Sequence, residues 1–224
     1  MPNWVQNSIT IIGPEPAIQE IYELIKYNGE GGFTDLEDTK SILKHYFPLP
    51  QGATEVRTST NPEGVEVSYS VFTDEGYNDA IKLWGTKWAD CDTYTEDDPN
   101  PMSNGLASLA IRCQSAWSPP LEGFRVLSEK FGLLIGMSFE EEQPDYIGCA
   151  IFINGEQRYF HEESGSNIDA ALPKFPDGGT DDEESEWWNE RMEIVAEFRN
   201  LVEDHLNLAM RRLKKKYIES VSAE

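Results

Sequence analysis

Nucleophilic catalysis needs a hydroxyl or thiol with a base in reach. Ser118 lies in Ala116-Trp117-Ser118-Pro119-Pro120, but the three histidines, His45, His161 and His205, are all distant in sequence. Of the cysteines at 91, 113 and 149, Cys91 is flanked by Asp90 and Asp92. Neighbouring carboxylates raise a thiol pKa and so blunt its reactivity. Cys113 and Cys149 fall on alternating apolar stretches that suit a core. No CxxC occurs and the cysteine count is odd, so a reducing, cytoplasmic setting is expected. The chain also lacks GxGxxG, P-loop and HExxH patterns. Asp90, Asp92, Glu96, Asp97 and Asp98 offer oxygen ligands, yet a calcium loop's glycine and closing glutamate are out of register. A solvated acidic loop is expected there, with no metal and no cofactor.

Charge offers a second chemistry, recognition. The chain has 224 residues, 41 Asp plus Glu against 18 Lys plus Arg, and a net charge of -23. A duplex binder neutralises phosphates with a basic face, so no direct contact with nucleic acid is expected. The acidity is spread along the chain: residues 1–180 carry 29 acids against 11 bases. It is most ordered near the C-terminus. At 100° per residue, Glu186, Glu190, Glu193, Glu197 and Asp204 form one narrow stripe. Trp187, Trp188, Ile194, Val195, Phe198, Leu201, Val202, Leu206 and Ala209 form a broad apolar face opposite. Arg211, Arg212, Lys214, Lys215 and Lys216 close the helix, which suits its dipole. Carboxylates three or four residues apart stand ~5–6 Å apart on a helix. That is comparable to the phosphate spacing along one DNA strand, so the stripe suits the phosphate groove of a basic protein, helped by Glu96, Asp97 and Asp98. A plain solvated face is the alternative. The apolar stripe, with Trp187, Ile194, Phe198 and Leu201, must pack on the chain's own body or on a second copy.

Trp84 and Trp88 lie four apart around Gly85-Thr86-Lys87. With Trp117 they suit a pocket or binding surface, since indole gives large contact area and an N–H donor. The competing reading buries them in a core, with Gly85 supplying a turn. Lys87 is a rare cation here and is placed to pair with Asp90 or Asp92. An enzyme acting on a small nucleotide would draw its cations from Lys87, Arg112 and Arg125.

These residues must be held by elements that the patterning predicts. Val5, Ile9 and Ile11 alternate over 3–12, a strand. A helix over 15–27 follows, with Pro14 and Pro16 at its first turn. A second helix over 34–47 is capped by Thr34 or Asp35. A hairpin turns at Asn61-Pro62-Glu63-Gly64, and a helix over 75–84 ends at Gly85. A strand over 87–94 precedes an acidic loop to 105. A long strand over 107–117 leads, through a Ser118 cap, into a helix over 119–131. Strands at 133–139 and 147–153 then turn at Asn154-Gly155 into another near 158–162. The order strand–helix–strand–strand over 106–154 matches half of a split βαβ sandwich.

Four ordered motifs add a resemblance. They are Met1-Pro2-Asn3-Trp4 with Asn7, Pro48-Leu49-Pro50, Trp84-Gly85-Thr86-Lys87-Trp88, and Ala116-Trp117-Ser118-Pro119-Pro120. Over roughly residues 1–160 the chain resembles the YubB-type ferredoxin-like-domain family of plasmid- and phage-borne proteins. Val5 departs from it, since family members often have Cys there. The resemblance implies a ferredoxin-like fold and a mobile-element origin, and brings no catalytic residues.

The expected fold is α+β: a ferredoxin-like antiparallel sheet with helices on one face, plus a long C-terminal amphipathic helix. A body over 1–163, an acidic linker over 164–185 and a helix over 186–221 are expected. No apolar run reaches the ~20 residues of a membrane span, and the N-terminus lacks the form of a signal peptide. The expected function is that of a phage or plasmid accessory protein acting by protein–protein contact. It would be an acidic, DNA-mimic-like inhibitor of a basic host nucleic-acid-binding or defence protein. The alternatives are an oligomeric adaptor assembling through the C-terminal helix, and the nucleotide enzyme.

Overall fold

A computed structural model describes residues 3–26, 41–95, 97–142, 145–175, 178 and 180–221. Strand β1 (Trp4–Pro14) carries the alternation through: Val5, Asn7, Ile9 and Ile11 are buried, while Gln6, Ser8 and Thr10 face outward. It lies between β6 (Leu106–Ala116) and β7 (Leu134–Glu141), antiparallel to both. The outer strand beside β6 is β4 (Cys91–Tyr94), also antiparallel. Helix α1 (Glu15–Ile25) follows β1, and α4 (Leu121–Phe131) joins β6 to β7. The chain order β1-α1-β4-β6-α4-β7 therefore has the spatial order β7-β1-β6-β4. Each helix links two parallel strands with a third inserted between them, a double split βαβ. The fold is α+β and ferredoxin-like; all four strands fall on stretches whose patterning predicts a strand, and what the patterning does not show is how β1 and β4 pair with the β6–β7 half.

The sheet continues past β7 with β8 (Tyr146–Ile153) and β9 (Glu156–Ser164), and short β5 (Asn100–Pro101) pairs with β6. Asn154 and Gly155 join β8 to β9 with φ of 49° and 82°. Two positive φ values are what a tight hairpin of this hand requires, which explains Asn-Gly there.

One face of the sheet packs on α1, α4, α2 (Ile42–Tyr46) and α3 (Asp74–Trp84). Ile18, Ile21, Phe124, Leu127, Leu43 and Trp84 fill that layer. Helix α3 is capped at both ends, by the Thr73 hydroxyl accepting from Gly76 N (3.0 Å) and by left-handed Gly85. Ser41 caps α2 by accepting from Lys44 N at 3.0 Å. The caps expected at Thr34 and Asp35 lie outside the described residues. Ser118 does not cap α4; its hydroxyl donates to Gly85 O at 2.9 Å.

The other face packs on α6 (Asp181–Val221). This 41-residue helix, ~60 Å long at ~1.5 Å per residue, lays Val195 and Val202 on Ile147 and Cys149. Further along it sets Tyr217 on Ile12, Leu106 and Leu134. The spacing of 195, 202 and 217 keeps one stripe down for most of its length. The molecule is thus three layers: helices, sheet, helix. It answers which body the apolar stripe covers: its own sheet. The stretch 164–185 is not all linker, since α5 (Gly165–Ala171) occupies its start. Helix α6 begins at 181 rather than 186 because Thr180 and Glu183 form a capping box. Thr180 N donates to Glu183 Oε2 at 2.8 Å, and Glu183 N returns to Thr180 Oγ1 at 3.4 Å. Those bonds hold the Glu183 carboxyl below its ordinary pKa.

Strands β2 (Thr54–Thr60) and β3 (Glu66–Phe72) form a separate two-stranded ribbon, with Val56, Val67 and Tyr69 exposed.

Candidate functional site

The first candidate site is the outward side of α6. Its inward stripe is fixed by the sheet, so the opposite side must face solvent. Glu186, Glu190, Glu193, Glu197 and Asp204 are all exposed. They fall within about 60° of arc opposite Val195, over about 27 Å of helix. Among the described residues none of the five is in an ion pair. The helix is anchored so that this ridge has one orientation. Arg199 donates to both oxygens of Glu140 on β7 at 2.7 Å, and those hydrogen bonds raise the guanidinium pKa against the opposing effect of burial. Tyr217 OH donates to Gly132 O at 2.6 Å. Trp187 Nε1 donates to Pro173 O at 2.8 Å, with Phe175 edge-on to its ring.

Of the residues expected on the packed stripe, Trp187, Ile194 and Phe198 are half-buried. Leu201 is 43% exposed and lies toward the acidic ridge, away from the sheet. Trp188 points the same way as Val195 but lies beyond the sheet, so it is 50% exposed, with Met192 beside it at 54%. The loop acids are divided. Glu96 lies outside the described residues. Asp97 shares a cleft with Glu203, next to Asp204. Asp98 accepts a hydrogen bond from Tyr22 OH, which raises the tyrosine's pKa. The structure therefore brings Asp97 to the C-terminal end of the ridge, not alongside its four glutamates.

The second candidate is the tryptophan end of the sheet, where the four motifs meet. Trp84 is core: it is buried and its Nε1 donates to Phe47 O at 3.0 Å, beside the Pro48-Leu49-Pro50 turn. Trp88 stacks on Trp4 (5.9 Å) and Trp117 (6.4 Å). Lys87 does not pair with Asp90 or Asp92. Its ammonium lies over Trp88 and Trp117, 4.7 and 5.0 Å from the ring centres. Thr86 Oγ1 donates to Ala116 O at 2.6 Å and Ala116 N to Trp88 O at 3.1 Å. Trp117 is 45% exposed and holds φ at +65°, a strained value for an aromatic residue. Its amide donates to Asn3 O (2.9 Å) and its carbonyl accepts from Tyr146 OH (3.0 Å), which pins that conformation. Trp88 also lines a shallow apolar cavity of about 330 Å³ with Leu49 and Phe72. The arrangement is a rigid aromatic shelf with a cation across it, suited to contact and lacking a nucleophile–base pair.

The remaining chemistry is structural. His45 meets Tyr46, and His161 stacks on His205, far from Ser118. Burial pushes Cys91 and Cys149 up to about 11 and Cys113 well above its ordinary value, so none is a thiolate near neutrality. Asp90, read as a loop acid, is fully buried. It accepts from Ser41 Oγ (2.5 Å), Ile42 N (2.6 Å) and Leu43 N (3.2 Å) at the start of α2. Among the described residues no group of three His, Cys, Asp or Glu side chains is placed to hold a metal ion. No described helix is long and apolar enough to cross a membrane.

Among curated proteins none matches the chain. A solved structure, protein api92 from Yersinia pseudotuberculosis, is similar at 14% identity, over 73% of this chain and 99% of that one, with a TM-score of 0.39. Residues 84–193 match the family described as the ferredoxin-like domain in Api92-like protein. That match runs from the last residue of α3 into the first third of α6.

Proposed function

We propose that the chain is a phage or plasmid accessory protein, cytoplasmic in a bacterial host, that binds a basic host protein. Its target class is a nucleic-acid-binding or defence component, and the α6 ridge occupies the groove where phosphates would sit. The carrying observation is the ridge itself: five exposed carboxylates, in no ion pair among the described residues, on the far side of a helix packed on the sheet. Preorganised charge of one sign speeds encounter with an oppositely charged groove. Reversing Glu186, Glu190, Glu193 and Glu197 to Lys leaves the packed stripe untouched. In a pull-down from bacterial lysate, wild type is expected to retain a nucleic-acid-binding protein that the four-site variant loses. With that protein purified, the variant's association rate should fall by about 10–1,000-fold at low salt. Equal capture by both proteins sinks the ridge mechanism.

A second reading, assembly of an adaptor through α6, rests on the uncovered Trp188 and Met192. It predicts an oligomer in sedimentation equilibrium of the full chain, reduced to monomer by Trp188→Ala with Met192→Ala. A monomeric wild type at concentrations of hundreds of micromolar removes it.

A further inference from the structure

The face of the sheet under α6 is only partly covered. The helix crosses β8 and then the far ends of β1, β6 and β7, leaving a cleft of about 350 Å³ on its β6 side. That volume lies at the small end of the range for ligand pockets. Its floor is a row across four strands: Tyr94 opposite Arg112, Arg112 opposite Ser8, and Ser8 opposite Ser138. The next row, Ala110, Thr10 and Gly136, is built mostly of small residues, which gives the cleft its depth. Leu206 and Glu203 of α6 form one wall, and Asp97 stands on the opposite side.

Arg57, Arg125, Arg158 and Arg199 each hold a carboxylate. Arg112, like Arg191, Arg211 and Arg212, is in no ion pair among the described residues, and of these four it is the one that lines the cleft. The side chains of Ser8, Thr10, Tyr94 and Ser138 likewise make no hydrogen bond to the described residues. The cleft thus presents one guanidinium, two carboxylates and a polar floor. A simple anion would meet Arg112 but be repelled by Asp97, Glu203 and the net charge of -23. A simple cation would leave Arg112 unmatched and repelled. A ligand with one carboxylate and two cationic groups complements all three charges.

We propose that this cleft binds a small zwitterion of surplus positive charge, a basic α-amino acid. Its carboxylate lies on the Arg112 guanidinium, its two cationic groups on Asp97 and Glu203, and its methylenes along Leu206. Guanidinium suits a carboxylate because its paired N–H groups match both oxygens. The site adjoins the C-terminal end of the acidic ridge through Asp97, and it does not depend on what Glu186, Glu190, Glu193 and Glu197 bind.

The test is calorimetric titration of the full chain at low salt with L-arginine and L-lysine. Agmatine, which lacks the carboxylate, and L-citrulline, which lacks the side-chain charge, are the comparison probes. Arginine or lysine should bind saturably, and each comparison probe about 10–100-fold more weakly, the loss of one charge-assisted contact. Arg112→Ala, an exposed position, should bring arginine down to the affinity of agmatine, and Glu203→Gln should weaken arginine about tenfold. Circular dichroism on both variants shows that they fold. Agmatine or citrulline binding wild type as tightly as arginine overturns the proposal. So does the absence of saturable binding by both amino acids, a result of wild type alone that no folding defect can explain.

Discussion

Asp90→Ala is expected to lower folding stability by about 3–5 kcal/mol, because it leaves several buried hydrogen-bond donors unmet. The Asp90 carboxylate is fully buried and serves as the shared acceptor for Ser41 Oγ, Ile42 N, Leu43 N and Thr93 Oγ1. Alanine strands several of these donors at once, and each buried unmet donor costs about 1–3 kcal/mol. It also frees α2, whose Ile42 and Leu43 belong to the core. The charge state carries a second expectation. Burial pushes the Asp90 pKa up from 3.8 to about 6, and the bonds from Ser41, Leu43 and Ile42 offset only part of that. A carboxyl whose pKa is raised by folding binds its proton more tightly in the native state. Its contribution to stability is therefore fully present below pH 4 and is lost as pH rises through about 6. A shift of about two units corresponds to about 3 kcal/mol. Asp90→Asn keeps the shape and cannot titrate, so it should lack this slope. Urea unfolding of both proteins between pH 4 and 7.5 measures the difference, which removes the common effect of the other acids. Parallel pH profiles would show that Asp90 ionises without penalty in the native state.

Local patterning made the outer frame of this fold legible and left its closure hidden. Alternation in β1 and β6 marked the strands and their buried faces, and Asn154-Gly155 marked the β8–β9 turn. Nothing local announces that Ile9 pairs with Ile111, since roughly a hundred residues separate partners whose contact is purely tertiary. Strand β4 lies inside the stretch 87–94 read as a strand, but two helices and a ribbon stand between α1 and β4, so nothing local showed that β4 pairs with β6 to complete the second split βαβ unit. Thr180-Asp181-Asp182-Glu183 carried a readable capping box, but four successive acids look like a linker. At the sites the ridge was legible because helical spacing alone decides which glutamates share a face. The inward partner of α6 was not, because a helical wheel shows a stripe without showing what covers it. Gln6, Ser8 and Thr10 on the outward side of β1 were the available sign of a sheet face left partly open. Lys87 was misplaced because opposite charges close in sequence suggest a pair, whereas Asp90 is buried in the core and Lys87 lies over the indoles.

Val202→Asp should detach α6 from the sheet while leaving the opposite layer folded. Val202 is buried against Ile147 and Cys149 at the middle of the helix contact. The nearby cation, Arg199, is already held by both oxygens of Glu140, and a buried charge without a partner of its own costs several kcal/mol. Near neutrality the protein therefore escapes by lifting the helix. Several contacts must break with it: the Tyr159 OH–His205 Nδ1 bond of 2.8 Å, the His161–His205 stack at 4.1 Å and the Arg199–Glu140 pair. Cys149 lies under this contact and Cys113 faces the other layer, so the two thiols report the two sides of the sheet. Exposure removes the burial that holds Cys149 up at about 11, so its thiolate fraction near pH 8 rises. Reaction with an aromatic disulfide reagent should become fast at Cys149 in Val202→Asp, with Cys113 unreactive in both proteins. Mass spectrometry of the labelled peptides tells them apart. Labelling of both buried thiols together would mean that the three layers unfold as one cooperative unit. Unchanged protection of Cys149 would mean that the sheet contact does not hold α6. In the second case the ridge loses the rigid support on which its proposed fit to a phosphate groove depends. If Cys149 alone is unmasked, the same variant should also lose the lysate partner, because five carboxylates on an untethered helix keep their charge but not their fixed orientation.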